Sequence, residues 1–223
     1  MKEIAVQNEL VATFMAKPHP VWSGSSCHFH LSLGGADGRN VFYDEAEPKG
    51  ISQTMRHFIG GMQATMRELT AVHAPTVNSY RRYVPYSWAG TTATWGIDNR
   101  TAGIRAVLEG DGGTRVEHRQ AGGDVNPYLG AAAALAAGLH GIEHEIEPDD
   151  AVETDVYALP AGAVTVLPRS LEEAVPLLVG SAVAREWLGD DLVSYYAEIK
   201  RAEIEAFART VTDWEIARYA EAL

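Results

Sequence analysis

Two neighbouring stretches identify the architecture of this chain: Arg115-Val116-Glu117-His118-Arg119 and Asp124-Val125-Asn126-Pro127-Tyr128-Leu129. Alternate side chains of an extended strand share a face, so Arg115, Glu117 and Arg119 are predicted to project together. The carboxylate would then lie between two guanidinium groups. A surface strand whose charges simply face water is the alternative. Further polar clusters elsewhere in the chain favour a ligand-binding face.

Composition limits the class of protein. With 223 residues and 46% hydrophobic residues, the chain can bury the core of one domain, or of one domain with a small appendage. The net charge of -12, from 18 Lys+Arg and 30 Asp+Glu, argues against a nucleic-acid partner. No apolar run reaches the roughly 18 residues of a membrane span, and the first residues do not resemble a signal peptide, so we expect a cytoplasmic protein.

The first third of the chain is predicted to contain a helix over 2–12, a short strand over 12–16 and a strand over 27–33. Three polar residues of the last strand share one face: His28, His30 and Ser32. The single cysteine, Cys27, cannot form an internal disulfide. A small residue in a buried strand explains it better than a metal ligand or a nucleophile does.

The middle of the chain is predicted to form an amphipathic helix over 52–73, because its apolar residues recur at helical spacing. Residues 74–98 are rich in loops and aromatic side chains, which is typical of a lid or pocket wall. Strands are predicted over 104–108 and 114–119, joined by the glycine-rich hairpin connection 109–113.

A long helix is predicted to begin at Asn126-Pro127, because asparagine suits the N-cap and proline the first turn. Its alanine-rich part, 131–138, should lie buried against a sheet. A helical tail follows over 168–223, with Asp213 as an N-cap. Its predicted helices are 171–179, 182–187, 190–210 and 213–222.

The polar residues indicate anionic ligands. A guanidinium group matches a carboxylate or phosphate bidentately, and five arginines lie in or beside the predicted strands and loops: Arg82, Arg100, Arg105, Arg115 and Arg119. His28 and His30, together with Glu117, offer nitrogen and oxygen ligands for a divalent cation, although a satisfied polar strand face is the commoner reason for such a pair. Arginines with an acid and histidines suit phosphoryl chemistry, and no P-loop motif is present.

Four motifs, in this order, resemble the catalytic domain of the glutamine synthetase family. The family pattern N-G-S-G-M-H-x-H-x-S-L is similar to Gly24–Leu33, and N-S-Y-K-R-L-V-P is similar to Asn78–Pro85. N-R-S-A-x-I-R is similar to Asn99–Arg105, and R-x-E-x-R followed by N-P-Y-L is similar to the opening stretches. The resemblance implies an α+β fold with an antiparallel sheet, flanking helices and a helical C-terminal tail. The sheet and the motifs would occupy 1–148 and the tail 168–223.

The resemblance also implies ligands. His28 and Glu117 would bind the metal that contacts the transferred phosphoryl group, Mg²⁺ or Mn²⁺. His30, Ser32 and Arg115 would contact ATP, the co-substrate.

The substrate glutamate would be held through its carboxylates by Arg82 and Arg119, with the backbone at Gly24 beside them. Arg100 and Arg105 would stabilise the ATP phosphates and the acyl phosphate. The implied catalytic residues are Arg100, Arg105 and Glu117. The implied reaction phosphorylates the γ-carboxylate of glutamate, and an amine then displaces phosphate.

Three departures from the family pattern refine this expectation. Trp88 stands where the family has a glutamate that binds and deprotonates ammonium, Ser23 replaces an asparagine, and Gln120–Gly123 replaces F-P-D-P. An indole can hold an alkylammonium by cation-π attraction but cannot act as a base. The chain therefore looks most like the glutamine-synthetase-like ligases that join glutamate to polyamines or other amines, with ammonia as the alternative.

The resemblance further implies that an N-terminal β-grasp domain and additional metal-binding glutamates precede the position of Lys2, and none is found in this sequence. We therefore expect an incomplete, weakly active ligase, and a homo-oligomer if the chain is full-length. A truncated, non-catalytic remnant that binds nucleotide or a full-length relative is the second hypothesis. A metal hydrolase that uses His28, His30 and Glu117 is the third.

Overall fold

The computed structural model describes residues 1–221 and places helices around one small sheet. The strands are β1 Phe29–Leu31, β2 Trp95–Ile97, β3 Ile104–Val107 and β4 Arg115–His118. The helices are α1 Lys2–Gln7, α2 Gln53–Thr65, α3 Thr70–His73, α4 Pro127–Glu143, α5 Leu171–Gly180, α6 Ala182–Leu188, α7 Asp190–Ala208 and α8 Asp213–Tyr219. This confirms the α+β class. Within residues 1–221, no helix is both long and apolar enough to cross a membrane.

The sheet has the strand order β1-β4-β3-β2. The predicted antiparallel hairpin of β3 and β4 is confirmed, and β1 pairs antiparallel with the other side of β4. β2 runs parallel to β3, which the sequence did not predict. The chain reverses after β2 because Asp98 adopts a left-handed backbone with a φ of 50° while its amide donates to the Ala106 carbonyl at 3.0 Å.

The predicted helix over 52–73 is divided into α2 and α3. α2 is capped by Ser52, whose side chain accepts a hydrogen bond from the amide of Met55. The hydroxyl groups of Thr65 and Thr70 donate to the carbonyls of Gly61 and Met66, four residues back, on either side of the break. Such bonds compete with the helical pattern and bend helices, which accounts for the division.

The helix α4 begins as predicted, with the Asn126 side chain accepting from the amides of Tyr128 and Leu129. Its contact with the expected sheet is small, with Gly130 against the Phe29 ring of β1, and its main partner is α2. A Cβ at Gly61 of α2 would overlap the Ala137 carbonyl oxygen and come within 2.5 Å of Gly141. Only glycine permits this close approach, and it sets the spacing of the two helices.

The helical tail is confirmed, with α5 to α8 in the predicted places. The N-cap of α8 is Thr212 rather than Asp213, because Thr212 forms a reciprocal capping box with Glu215. Residue 222, the predicted end of this helix, lies outside the described residues.

The N-terminal predictions are less successful. The first helix ends at Gln7 instead of residue 12, because the backbone of Glu9 turns to a φ of 57°. The strand predicted over 12–16 is irregular. Its last residue, Ala16, is buried and accepts a hydrogen bond from the Ser25 amide at 2.8 Å, so this segment closes a loop instead of joining the sheet.

Candidate active site

The buried carboxylate of Glu117 is the centre of the polar site. Its Oε1 lies 2.6 Å from Arg119 Nη1 and 2.8 Å from His28 Nδ1, and its Oε2 lies 2.9 Å from Arg105 Nη1. His30 Nε2 is farther away, at 3.9 Å from Oε1. Four predicted site residues therefore surround one carboxylate.

Sheet register produces this arrangement. Glu117 of β4 lies opposite His30 of β1 on one side and opposite Arg105 of β3 on the other, so the three side chains project from one face. Arg119 follows β4 at the same two-residue period. The predicted alternation is thus confirmed for Glu117 and Arg119.

The charge of Glu117 is secured by its neighbours. Burial alone would raise the pKa of this carboxyl group, but hydrogen bonds from His28 and Arg105 and the charge of Arg119 outweigh burial and lower the pKa to about 2. The carboxylate is therefore ionised throughout the neutral range. Burial lowers the pKa of His30, against the opposing effect of the Glu117 charge.

Two arginines are buried beside this centre. Arg119 and Arg82 are each 4% exposed, and the Nε atom of each has no hydrogen-bond partner within residues 1–221. Arg82 also donates to the Gln120 carbonyl. Desolvation of two cations is costly, so buried guanidinium groups with an unused donor indicate a site for an anion.

Gly24 lies directly against the stem of Arg82. A Cβ at this position would lie 2.6 Å from Arg82 Cγ and 2.9 Å from the Ala16 carbonyl oxygen. Any side chain would displace one of them. The structure thus places Gly24 next to one of the two buried arginines.

An open cleft of about 610 Å³ lies at the edge of the same face. Trp88, Arg100 and Arg105 line it, opposite residues 153–155. Trp88 is 55% exposed, its backbone takes a φ of 62°, and its carbonyl accepts a hydrogen bond of 3.4 Å from Arg119 Nη2. The loop that carries the indole is therefore linked to the buried centre.

The other end of the face holds the residues predicted to contact ATP. Arg115 donates to His30 Nδ1 at 3.3 Å and pairs with the Glu109 carboxylate at 2.8 Å. It therefore shares the face with Glu117 but does not clamp it. Ser32 is exposed, one residue beyond β1.

The donor set fits a divalent cation in part. His28 Nδ1 contacts Glu117, and its Nε2 is buried with no hydrogen-bond partner among the described residues. An imidazole that donates through one nitrogen to a carboxylate presents a lone pair at the other, which is the usual state of a histidine ligand. Within residues 1–221, no group of three or more His, Cys, Asp or Glu residues could hold a metal. Additional ligands would have to come from phosphate oxygens, water or another source.

Sequence reasoning did not identify three residues that shape the site. Asp98 accepts hydrogen bonds from Arg105, Glu109 pairs with Arg115, and the Gln120 carbonyl accepts from Arg82. Asp98 and Glu109 lie in predicted loops, where a carboxylate is ordinarily solvated. No pattern in the sequence marked them.

Residues 1–219 match the family model described as glutamine synthetase, catalytic domain. The chain is 42% identical over 219 residues to a glutamate–isopropylamine ligase of a Pseudomonas species, covering 98% of this chain and 48% of the ligase. It is 45% identical over 217 residues to a gamma-glutamylethanolamide synthetase of Streptomyces coelicolor, covering 97% and 45%.

A glutamine synthetase of Halobacterium salinarum is 38% identical over 226 residues, covering 99% of this chain and 50% of that enzyme. Among solved structures, the ADP complex of the protein GmaS superimposes with a TM-score of 0.90 at 36% identity, covering 99% of this chain and 51% of that one. The chain spans about half the length of the curated relatives it matches.

Proposed function

The chain belongs to the glutamine synthetase family, and on this basis we propose that it carries the active-site face of an ATP-dependent ligase that joins the γ-carboxylate of glutamate to an amine. The observation that carries the proposal is the buried, ionised Glu117 in contact with His28, Arg105 and Arg119. Such a concentration of fixed positive groups around one acid suits a reaction in which negative charge is transferred between oxygens.

The glutamate substrate is assigned to the buried arginines. Arg82 and Arg119 would bind its carboxylates, since each is buried and has an Nε without a hydrogen-bond partner among the described residues, and the lack of a side chain at Gly24 leaves Arg82 undisturbed. Binding would replace water with guanidinium groups that burial already holds in place, which lowers the entropic cost of orienting the substrate.

The phosphates are assigned to the cleft. Arg100 is exposed there and Arg105 lines the same wall, so both can meet the negative charge of the ATP phosphates and of the acyl phosphate. His30, Ser32 and Arg115 would contact the nucleotide. The description of a GmaS structure as an ADP complex supports nucleotide use in this family.

His28 and Glu117 are the residues that would hold Mg²⁺ or Mn²⁺, and Glu117 is already ionised. A cation bound there would supply charge neutralisation of the phosphoryl oxygens.

The amine is assigned to the Trp88 side of the cleft. Its exposed indole offers a π-face to an alkylammonium group. Two of the relatives are named for organic amine products or substrates, ethanolamide and isopropylamine, and they are 45% and 42% identical to this chain. Two relatives named as glutamine synthetases are 41% and 38% identical. We place organic amines ahead of ammonia because of the exposed indole at Trp88.

Nucleotide binding without turnover is the second candidate function. It is favoured by one observation: the residues described contain no group of three or more metal-binding side chains. Metal-assisted phosphoryl transfer depends on ions fixed in place, so we expect slow turnover by this chain alone.

The two candidates are separated by measuring ADP binding and Mg²⁺-dependent phosphate release from ATP on one preparation. Glutamate is added with isopropylamine, ethanolamine, putrescine or ammonia. The background control is Glu117→Gln, an isosteric change that removes the central charge. Amine-dependent release above this background supports the ligase, and ADP binding without such release supports the second candidate. Neither binding nor release would contradict both.

A further inference from the structure

Asp98 makes the second carboxylate contact of Arg105, on the cleft side. Its Oδ1 accepts hydrogen bonds from Arg105 Nη2 at 2.8 Å and from Arg105 Nε at 3.2 Å. On the opposite side, Arg105 Nη1 donates to Glu117. Arg105 therefore bridges a buried acid and an acid whose side chain is 67% exposed.

The position of Asp98 is itself fixed by the fold. The residue follows β2 in the left-handed backbone conformation that aspartate tolerates, and its amide donates to the Ala106 carbonyl. The next residue, Asn99, donates its side-chain amide to the carbonyls of Val152 and Thr154 at 2.8 and 2.9 Å. An exposed carboxylate is thus held on a connection that is anchored on both sides.

The contacts leave Arg105 with a defined set of free donors. A guanidinium group has about five N–H groups, and three of them are engaged by Asp98 and Glu117. The remaining donors belong to Nη1 and Nη2. Because the two acids hold the group from different sides, its plane is fixed while two N–H groups stay available for an anion in the cleft.

We propose that Asp98 is a positioning residue, which orients the Arg105 guanidinium for the phosphate group of the nucleotide. The inference rests on the proposed function for the identity of the anion and deepens it by naming the residue that prepares Arg105. We do not expect Asp98 itself to contact a phosphate, since the negative charges of a carboxylate and a phosphate repel each other.

A purely electrostatic effect of Asp98 would change ADP binding in the opposite direction. If Asp98 only adds negative charge to a cleft that binds phosphate, its neutralisation should tighten ADP binding. If it positions Arg105, neutralisation should weaken ADP binding, because the guanidinium loses its fixed plane. The direction of the change therefore decides between the two.

The test measures ADP dissociation constants by calorimetry for the native chain, Asp98→Asn and Asp98→Glu. The matched charge control is Glu153→Gln, which neutralises an exposed acid of the same cleft that lies beside Lys49 instead of Arg105. We expect the isosteric Asp98→Asn to weaken ADP binding about 10-fold, and Asp98→Glu to stay within about 3-fold of the native value because it keeps the charged acceptor. Glu153→Gln should leave binding unchanged or tighten it. Unchanged or tighter binding by Asp98→Asn would overturn the inference.

A second measurement does not depend on nucleotide binding. In the NMR spectrum of arginine side chains, the Nε–H signal that disappears in Arg105→Lys reports the Asp98 contact. We expect slow solvent exchange of this proton in the native chain and faster exchange in Asp98→Asn, with no change in Glu153→Gln. Equal exchange in all three proteins would overturn the inference. If the native chain binds no ADP, the proposed nucleotide site fails, and the exchange rates still decide whether Asp98 fixes Arg105.

Discussion

The face around Glu117 and the cleft beside Trp88 carry similar charged groups but differ in exposure. Glu117 and Arg119 are 3% and 4% exposed, whereas Arg100 and Asp98 at the cleft are exposed. A buried ion pair contributes rigid geometry at a high desolvation cost, and an exposed pair contributes little to stability. From this difference we expect fold stability to depend on the residues around Glu117, and, if the proposed function is right, substitutions in the cleft to change substrate preference with little effect on the fold.

Removing the central carboxylate should have the largest effect. Glu117→Ala leaves Arg119 and Arg105 without a buried partner, so we expect the free energy of unfolding to fall by about 3–5 kcal/mol and phosphate release to be lost. Chemical denaturation measures the first effect. The matched control is Glu109→Ala, which removes the exposed partner of Arg115 and should cost less than about 1 kcal/mol. If Glu117→Ala and Glu109→Ala lost the same free energy of unfolding, the buried ion pairs would not be more important for stability than the exposed one.

Adding a side chain at Gly24 should have the next largest effect. The added Cβ of Gly24→Ala would press on Arg82 Cγ and on the Ala16 carbonyl, so we expect a loss of about 1–3 kcal/mol in stability together with weaker glutamate binding. Denaturation and glutamate titration are the measurements. Gly34→Ala, where nothing lies within 4 Å of the new atom, is the control and should be close to native. If Gly24→Ala bound glutamate as tightly as the native chain, Gly24 would not belong to the substrate site.

Acid should destabilise the fold through the face of β4 opposite Glu117, where His73 packs against His118 with ring centroids 4.2 Å apart. Burial lowers the pKa of His73 to about 4, whereas an unfolded histidine titrates near pH 6.5. Below pH 6.5 only the unfolded state binds this proton, so stability falls with pH until the folded pKa is reached. The contribution of His73 amounts to about 2 kcal/mol between pH 7 and pH 5.

Denaturation curves of the native chain and of His73→Phe at both pH values measure this contribution. The phenyl variant should lose less stability on acidification, whatever its stability at pH 7. The exposed His144 provides the matched control, since His144→Phe should keep the native pH dependence. If the stability of His73→Phe depended on pH as strongly as that of the native chain, burial would not be keeping the His73 imidazole neutral.

The smallest effect is expected at the cleft. Trp88→Glu replaces the exposed indole by a carboxylate, so the preference for organic amines over ammonia should fall by about 0.5–1 kcal/mol, the usual range for an exposed cation-π contact. Phosphate release with each amine gives the ratio, and unfolding should be unchanged. Trp214→Glu makes the same change at an exposed position of α8. An unchanged amine ratio in Trp88→Glu would exclude Trp88 from the amine site.

One part of the arrangement around Glu117 could be predicted from the sequence because it depends on local rules, whereas the predicted clamp by Arg115 is wrong, since Arg115 pairs with Glu109 and Arg105 takes its place on Glu117. Strand alternation places Glu117 and Arg119 on one face, and the glycine-rich connection 109–113 fixes the antiparallel hairpin that brings Arg105 opposite Glu117. The start of α4 was equally predictable, since Asn126-Pro127 is a local capping signal.

The missed features depend on contacts between distant segments. The bond between Asp98 and Arg105 requires the parallel pairing of β2 and β3, which no periodicity indicates. The strand predicted over 12–16 has suitable residues but no partner strand. The alanine-rich part of α4 has small side chains that could pack against either a sheet or a helix. Glycines on α2 and α4 allow the two helices to approach closely, and this makes α2 the partner of α4. Periodicity identifies which face is buried but not what covers it.

The close contact between α2 and α4 has a consequence for any map of mutational tolerance. At Gly61, Gly138 and Gly141 a single added methyl group would meet backbone atoms or the Phe58 ring, and neither helix can retreat without opening the core. A saturation library selected for cellular abundance would be depleted sharply at these three positions and also at the buried Glu117 cluster. A library selected for turnover would in addition lose exposed positions of the cleft such as Arg100, and the positions that differ between the two screens would mark the part of the site that the fold does not need.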